Sequence, residues 1–187
     1  MNKVCFLDRD GVLIHEECYL SDPEKVRLIE GAGQTINALH AQGYLVIVIT
    51  NQAGVARGYY PEESIDQVHA KIDELLAVDG AFIDKYYYCP HHPKGVVEKY
   101  TMVCTCRKPA TGMVDQAVED FEIDLENSFV VGDKVTDVKT ATNTGCKTGI
   151  LVRTGHGEDQ IKDNDTTGIT IKADINEAVS WYLETHK

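Results

Sequence analysis

Short apolar runs of strand length alternate with stretches of helical period along this chain, and that alternation leaves few architectures open. Lys3–Leu7 reads as a buried strand, residues 33–42 as a helix ended by Gly43, and residues 44–50 as a second strand. Pro61 opens an amphipathic run to about Val78, with Ile65, Val68, Ile72, Leu75 and Leu76 on one face. Residues 82–88 predict a third strand and 89–109 an irregular segment rich in proline. Then come a helix over Gly112–Phe121, a strand over 128–131, a helix over 135–143 and a strand over Thr148–Val152. A polar loop through Thr167, a short strand near Ile169 and a helix over 175–184 complete the pattern. Strands that alternate with helices predict an α/β fold, a Rossmann-like doubly wound parallel sheet covered on both faces, whose ligands bind beyond the carboxyl ends of the strands. A single domain over residues 1–187 is expected, since 187 residues at 43% hydrophobic content bury one sizeable core.

The longest apolar stretches are strand-sized, so neither a transmembrane helix nor a signal peptide is expected. A net charge of −12 opposes non-specific attraction to nucleic acid and to anionic membranes, both polyanions. It leaves room for an anionic small molecule, because a few fixed cations and a metal reverse the potential inside one pocket. Six unevenly spaced cysteines without a secretion signal point to a reduced, cytoplasmic protein rather than to a disulfide framework.

Chemistry-bearing residues sit where the predicted strands end. The first strand runs into Phe6-Leu7-Asp8-Arg9-Asp10-Gly11, two carboxylates two residues apart in a turn that Gly11 permits. The second ends at Thr50-Asn51-Gln52, Arg107-Lys108-Pro109 places two cations before a helix, and Gly132-Asp133-Lys134-Val135-Thr136-Asp137 repeats the strand-then-aspartate pattern. Each segment alone also has an ordinary reading as a solvated turn, a helix cap or surface charge. Cys89-Pro90-His91 and Cys104-Thr105-Cys106 can gather three thiolates and one imidazole around a tetrahedral, structural zinc, with His92 as the alternative imidazole. Such a zinc loop, at about residues 89–109, would clamp the segment that delivers Arg107 and Lys108.

The ordered set Asp-x-Asp-Gly, Thr-Asn, Lys-Pro and Gly-Asp-x-x-x-Asp resembles the haloacid dehalogenase superfamily of phosphohydrolases over residues 4–137. The resemblance implies Asp8 as nucleophile, Asp10 as general acid and base, Thr50 as a phosphoryl hydrogen-bond donor and Lys108 as charge balance. It implies magnesium held by Asp8, the Asp10 carbonyl and Asp133, with Asp137 either a ligand or a support for Lys134. With its zinc loop and its Leu-Val-Arg-Thr-Gly stretch, nearly the whole chain is similar to the branch that acts on heptose bisphosphates in nucleotide-activated heptose biosynthesis. That similarity implies substrate contacts at Arg9, Glu16, Glu17, Cys18, Tyr19, Asn51, Gln52, Ala53, Arg107 and Lys134, with Arg107 reaching the second phosphate. Departures are Val12 where the branch often has Thr, Ala53 where it has Ser, and Cys18 where it has Gly. Arg107 and Lys134 favour a bisphosphate, whereas Glu16, Glu17 and Asp22 would suit the amine of histidinol phosphate, the substrate of a related branch. A zinc-stabilised binding module without catalysis is the reading from another class. Spans between motifs leave no room for a large cap domain, and a monomer with an open site is expected.

Overall fold

A computed structural model describes residues 1–186. Its six strands are β1 (Lys3–Leu7), β2 (Tyr44–Asn51), β3 (Lys85–Cys89), β4 (Phe129–Gly132), β5 (Thr148–Val152) and β6 (Thr170–Lys172). They form one sheet in the order β3-β2-β1-β4-β5-β6, and every pairing is parallel. The helices are α1 (Ala32–Ala41), α2 (Glu63–Ala77), α3 (Gly112–Phe121), α4 (Val135–Thr144), α5 (Gly157–Asp163) and α6 (Ile175–Thr185).

The two-residue period of the strands divides the core. Cys5 and Leu7 of β1, Val46 and Val48 of β2 and Phe129 and Val131 of β4 pack under α1, α2 and α6 through Ile36, Leu39, Val68, Ile72, Ile175 and Tyr182. Val4, Phe6, Ile47, Ile49 and Val130 turn the other way and meet Met113, Val114 and Ala117 of α3 and Ala141 of α4. Each fully buried Leu, Ile, Val or Phe contributes roughly 1.5–3 kcal/mol relative to exposure. Continuous hydrophobic strands are therefore what a sheet covered on both faces requires.

Three sequence expectations change. The third strand starts at Lys85 rather than Phe82: its first partner on β2 is Ile47, and Phe82 stays 55% exposed, stacked on His40. Helix α2 starts at Glu63, because Pro61 and Glu62 form the turn that leads into it. The polar loop after β5 contains α5, whose Gly-Glu-Asp-Gln-Ile-Lys-Asp sequence has a single large apolar residue and so no helical stripe to read. No helix among the described residues is long and apolar enough to cross a membrane.

The sheet order reverses between β1 and β4, so the chain leaves these neighbouring strands toward opposite sides and opens a crevice at their carboxyl ends. Asp8 follows β1 and Asp133 follows β4, and the Asp8 N–H donates to the Val131 carbonyl at 2.9 Å, tying the two exits together.

Candidate active site

Asp8 is 6% exposed at the floor of this crevice. Its Oδ1 accepts the Arg9 N–H at 2.8 Å and lies 3.0 Å from Lys108 Nζ. Lys108 arrives from the segment before α3, far away in sequence, and the side chain of Asn51 fixes its main chain. Asn51 Oδ1 accepts the Lys108 N–H at 3.0 Å and Asn51 Nδ2 donates to the Lys108 carbonyl at 3.2 Å. The Lys108 ammonium then donates to the Ile49 carbonyl at 2.7 Å and also pairs with Asp137 Oδ1 at 2.7 Å. Asp137 in turn closes the first turn of α4, where its Oδ2 accepts the Lys134 N–H at 3.0 Å. Asp137 thus orients Lys108 as well as the Lys134 backbone.

Asp133 is fully buried beside them, with Oδ1 3.2 Å from Lys134 Nζ and Oδ2 accepting the His156 N–H at 2.8 Å. Carboxylate oxygens of Asp8, Asp133 and Asp137 lie within 4.8 Å of one another. Burial together with the negative charges of Asp8 and Asp137 pushes the Asp133 carboxyl up to about 7, against the pull of Lys134. Burial raises Asp137 too, with Lys108 opposing it. At Asp8 burial acts upward, but Lys108, Lys134 and the Arg9 N–H outweigh it and hold the carboxyl below its ordinary value. Lys108 and Lys134 both titrate above the usual lysine range, since the attraction of these aspartates exceeds the effect of burial. Three buried carboxylates against two ammoniums, all hard oxygen donors, suit a divalent cation such as magnesium.

Asp10 projects from the same turn and is held by three donors. Arg9 Nε reaches its Oδ2 at 3.1 Å, an Arg9 terminal nitrogen reaches Oδ1 at 3.0 Å, and Gln52 Nε2 donates to Oδ2 at 2.9 Å. The Gln52 amide also donates to Thr50 Oγ1 at 2.8 Å, and its carbonyl accepts the Tyr60 hydroxyl at 2.7 Å. Arg9 is 1% exposed and lies beneath this network.

Above these groups opens a cleft of about 340 Å³. Its walls include every substrate contact expected from the sequence except Glu17, which is exposed to solvent outside the cleft. Glu16 and Lys134 both line it, and burial followed by the Asp10 charge raises the Glu16 carboxyl. Tyr19 sits at the mouth with a left-handed φ of 56°, packed edge-on against Tyr59 at 4.6 Å. A non-glycine residue in that region costs about 1–2 kcal/mol, a strain typical of ligand-facing turns. Sequence reasoning missed Leu20, Tyr60, Thr136 and His156 in this lining. Leu20 and Thr136 adjoin residues already singled out, next to Tyr19 and inside the Gly132–Asp137 motif, whereas Tyr60 and His156 come from separate connections and carry no local signal.

Cys89, His91, Cys104 and Cys106 gather at the edge of the sheet, next to the segment that supplies Arg107 and Lys108. The sulfurs lie 3.1–3.5 Å apart, and His91 Nδ1 lies 3.3 Å from Cys106 Sγ. A tetrahedral zinc with Zn–S bonds near 2.3 Å sets S···S edges of about 3.8 Å, somewhat wider than the spacing here, so the sulfurs would move apart to take one. His92 points elsewhere: its Nδ1 accepts the Lys94 N–H and its Nε2 faces Arg57.

The profile of the HAD-hydrolase-like family matches residues 105–178. The D-glycero-beta-D-manno-heptose-1,7-bisphosphate 7-phosphatase of Haemophilus ducreyi is 44% identical over 154 residues, which is 82% of this chain and 84% of that protein. The D-glycero-D-manno-heptose-1,7-bisphosphate 7-phosphatase of Thermosynechococcus vestitus is 40% identical over 94% of this chain and 93% of its own. Among solved structures, the D,D-heptose 1,7-bisphosphate phosphatase of B. bronchiseptica, crystallised with magnesium and phosphate, superposes with a TM-score of 0.85. It is 29% identical and covers 97% of this chain and 98% of its own.

Proposed function

We propose, from the premise that this chain belongs to the heptose-1,7-bisphosphate 7-phosphatase family of HAD-like hydrolases, that it hydrolyses the 7-phosphate of D-glycero-D-manno-heptose 1,7-bisphosphate in nucleotide-activated heptose biosynthesis. The observation that carries this reading is Asp8, buried at the switch point of the sheet between Lys108 and Asp133 and followed two residues later by Asp10. Asp8, kept ionised by Lys108 and Lys134, attacks phosphorus through a carboxylate oxygen while the ester P–O bond breaks in line. Asp10 gives its proton to the departing alkoxide. Water then attacks the aspartyl phosphate, its proton passes to Asp10, and inorganic phosphate leaves with Asp8 restored. Arg9 and Gln52 hold the Asp10 carboxyl in place for both proton transfers. Thr50, whose oxygen already serves as acceptor for Gln52, directs its own O–H to a phosphoryl oxygen.

Asp8, the Asp10 carbonyl and Asp133 would hold magnesium, which supplies Lewis-acid stabilisation of the phosphoryl oxygens. Arg107 binds the second phosphate, and Lys134, Glu16, Tyr19 and Gln52 line the space for the sugar. Cys89, His91, Cys104 and Cys106 hold a structural zinc that stiffens the loop before Arg107. We read the chain as one domain working in a reducing, cytoplasmic setting, where cysteines serve as metal ligands or stay as thiols. Of the acidic residues that would suit the amine of histidinol phosphate, the alternative substrate, Glu16 lines the cleft.

Phosphorus NMR on magnesium-loaded protein given both anomers of the heptose bisphosphate, and histidinol phosphate in parallel, tests the reading. Selective loss of the 7-phosphate, abolished by Asp8→Asn in a folded protein, is the expected result. A large preference for histidinol phosphate would overturn the substrate, and unchanged turnover in Asp8→Asn would overturn the nucleophile.

A further inference from the structure

The Leu-Val-Arg-Thr-Gly stretch that ends β5 takes no part in the chemistry above, yet the residues at and beyond its end meet both halves of the aspartate cluster. Thr154 Oγ1 donates to the Gly11 carbonyl at 2.6 Å. On the other side of the same residue, the Gly11 N–H donates to the Ile14 carbonyl at 2.8 Å. Peptide planarity then sets the Asp10 carbonyl opposite that N–H, facing away from Ile14. Thr154 and Ile14 together therefore fix the rotation of the peptides on both sides of Gly11. Two residues after Thr154, the His156 N–H holds Asp133 Oδ2 at 2.8 Å.

Between these two bonds lies Gly155, at φ 59°, against Gly11, at φ 82°. A Cβ on either glycine would collide with the Asp133 carboxylate and with the backbone of the other glycine. Both positions demand the left-handed backbone and the close approach that only glycine allows. The β5–α5 connection thus spans from the turn after β1 to Asp133, three contacts in three consecutive residues.

We propose that Thr154, Gly155 and His156 form a positioning clamp that fixes the separation of the Asp8–Gly11 turn from Asp133, and so sets the affinity of the divalent-cation site. The inference rests on the reading that Asp8, the Asp10 carbonyl and Asp133 hold that cation. Thr154 is a positioning residue here, acting through the Gly11 peptide.

Thr154→Val keeps the side-chain shape and removes the hydroxyl. Magnesium binding measured by isothermal calorimetry on the zinc-containing full chain should weaken about tenfold, the loss of one half-buried hydrogen bond. The Tm in magnesium-free buffer should stay within a few degrees of wild type, and saturating magnesium should restore kcat. Thr154→Ser, which retains the hydroxyl, should bind magnesium as wild type does, and Gly155→Ala should weaken binding further than Thr154→Val. Unchanged magnesium affinity in Thr154→Val and Gly155→Ala overturns the clamp while leaving the cation site in place. Equal weakening in Thr154→Ser and Thr154→Val also overturns it. No magnesium binding by the wild-type protein overturns the cation reading and the clamp with it.

Discussion

Replacing Lys108 with methionine isolates the electrostatic centre of the site. Methionine approximates the length of the lysine stem but leaves Asp137 buried at 1% exposure, without the ammonium 2.7 Å from its Oδ1. Asp8 keeps the Lys134 charge and the Arg9 N–H, whereas Lys108 is the largest charge opposing the burial of Asp137, so Asp137 loses most of its compensation. A buried carboxylate in this position takes up a proton instead of remaining charged. Protonating, at pH 7, a group that is ionised in the unfolded chain with a pKa near 3.9 costs about 4 kcal/mol. Breaking a buried pair by removing one partner independently suggests about 3–5 kcal/mol. The destabilisation should therefore be about 4 kcal/mol at pH 7 and shrink by about 1.4 kcal/mol for each unit the pH is lowered toward 4. Urea unfolding followed by circular dichroism in magnesium-free buffer measures it. Lys108→Met combined with Asp137→Asn removes the proton uptake, and should recover most of the stability while leaving phosphate release abolished. A loss below 1 kcal/mol in the single variant, or a double variant no more stable than the single, would refute the argument.

Two further expectations concern parts of the fold outside the cleft. Cys104→Ser should release about one equivalent of zinc on elemental analysis and lower stability, because thiolate-bound zinc contributes directly to folding; a native protein with no zinc would contradict the loop assignment. His69 of α2 is buried against Tyr86, and burial, reinforced by the Arg9 charge, pushes its imidazole down to about 3. The unfolded chain binds this proton near pH 6.5 and the folded one does not, so stability falls as the pH drops through that window, by about 2 kcal/mol at pH 5. His69→Phe keeps the stacking and should lose that much less than wild type between pH 7 and 5; parallel stability curves would count against a neutral buried imidazole.

Much of the site was legible because its residues lie directly after strands, where a parallel sheet of this order concentrates its ligands. Asp8 and Asp133 follow, and Thr50 ends, a continuous apolar run too short to be a helix, which sets all three at the carboxyl ends of strands. The gathering of three cysteines and one histidine was legible from spacing, and of the two adjacent histidines the fold brings His91 to it. Illegible parts are those in which one residue's role is set by another far along the chain. The capping contact of Asp137 follows from its place in the first turn of α4, but its bond to Lys108 depends on how the segment before α3 crosses the sheet. Tyr60 precedes a helix and looks like an entry turn, and only the tertiary structure sets its hydroxyl on Gln52.

These long-range contacts share a physical logic that bears on how the site works. Every charged group on the cleft floor is held by at least one main-chain partner or by a neighbour that is itself fixed: Lys108 by the Ile49 carbonyl, Asp133 by the His156 N–H, and Asp137 by the Lys134 N–H. Dipoles fixed before substrate arrives need no reorganisation as charge moves onto the phosphoryl oxygens, and they act in a buried setting where water screens them little. The cost is the crowding seen at Asp133, which burial and two like charges drive up to about 7. Such crowding is what a divalent cation relieves, so the energy stored in placing three carboxylates together becomes selectivity for a small, doubly charged, oxygen-seeking ion over monovalent competitors.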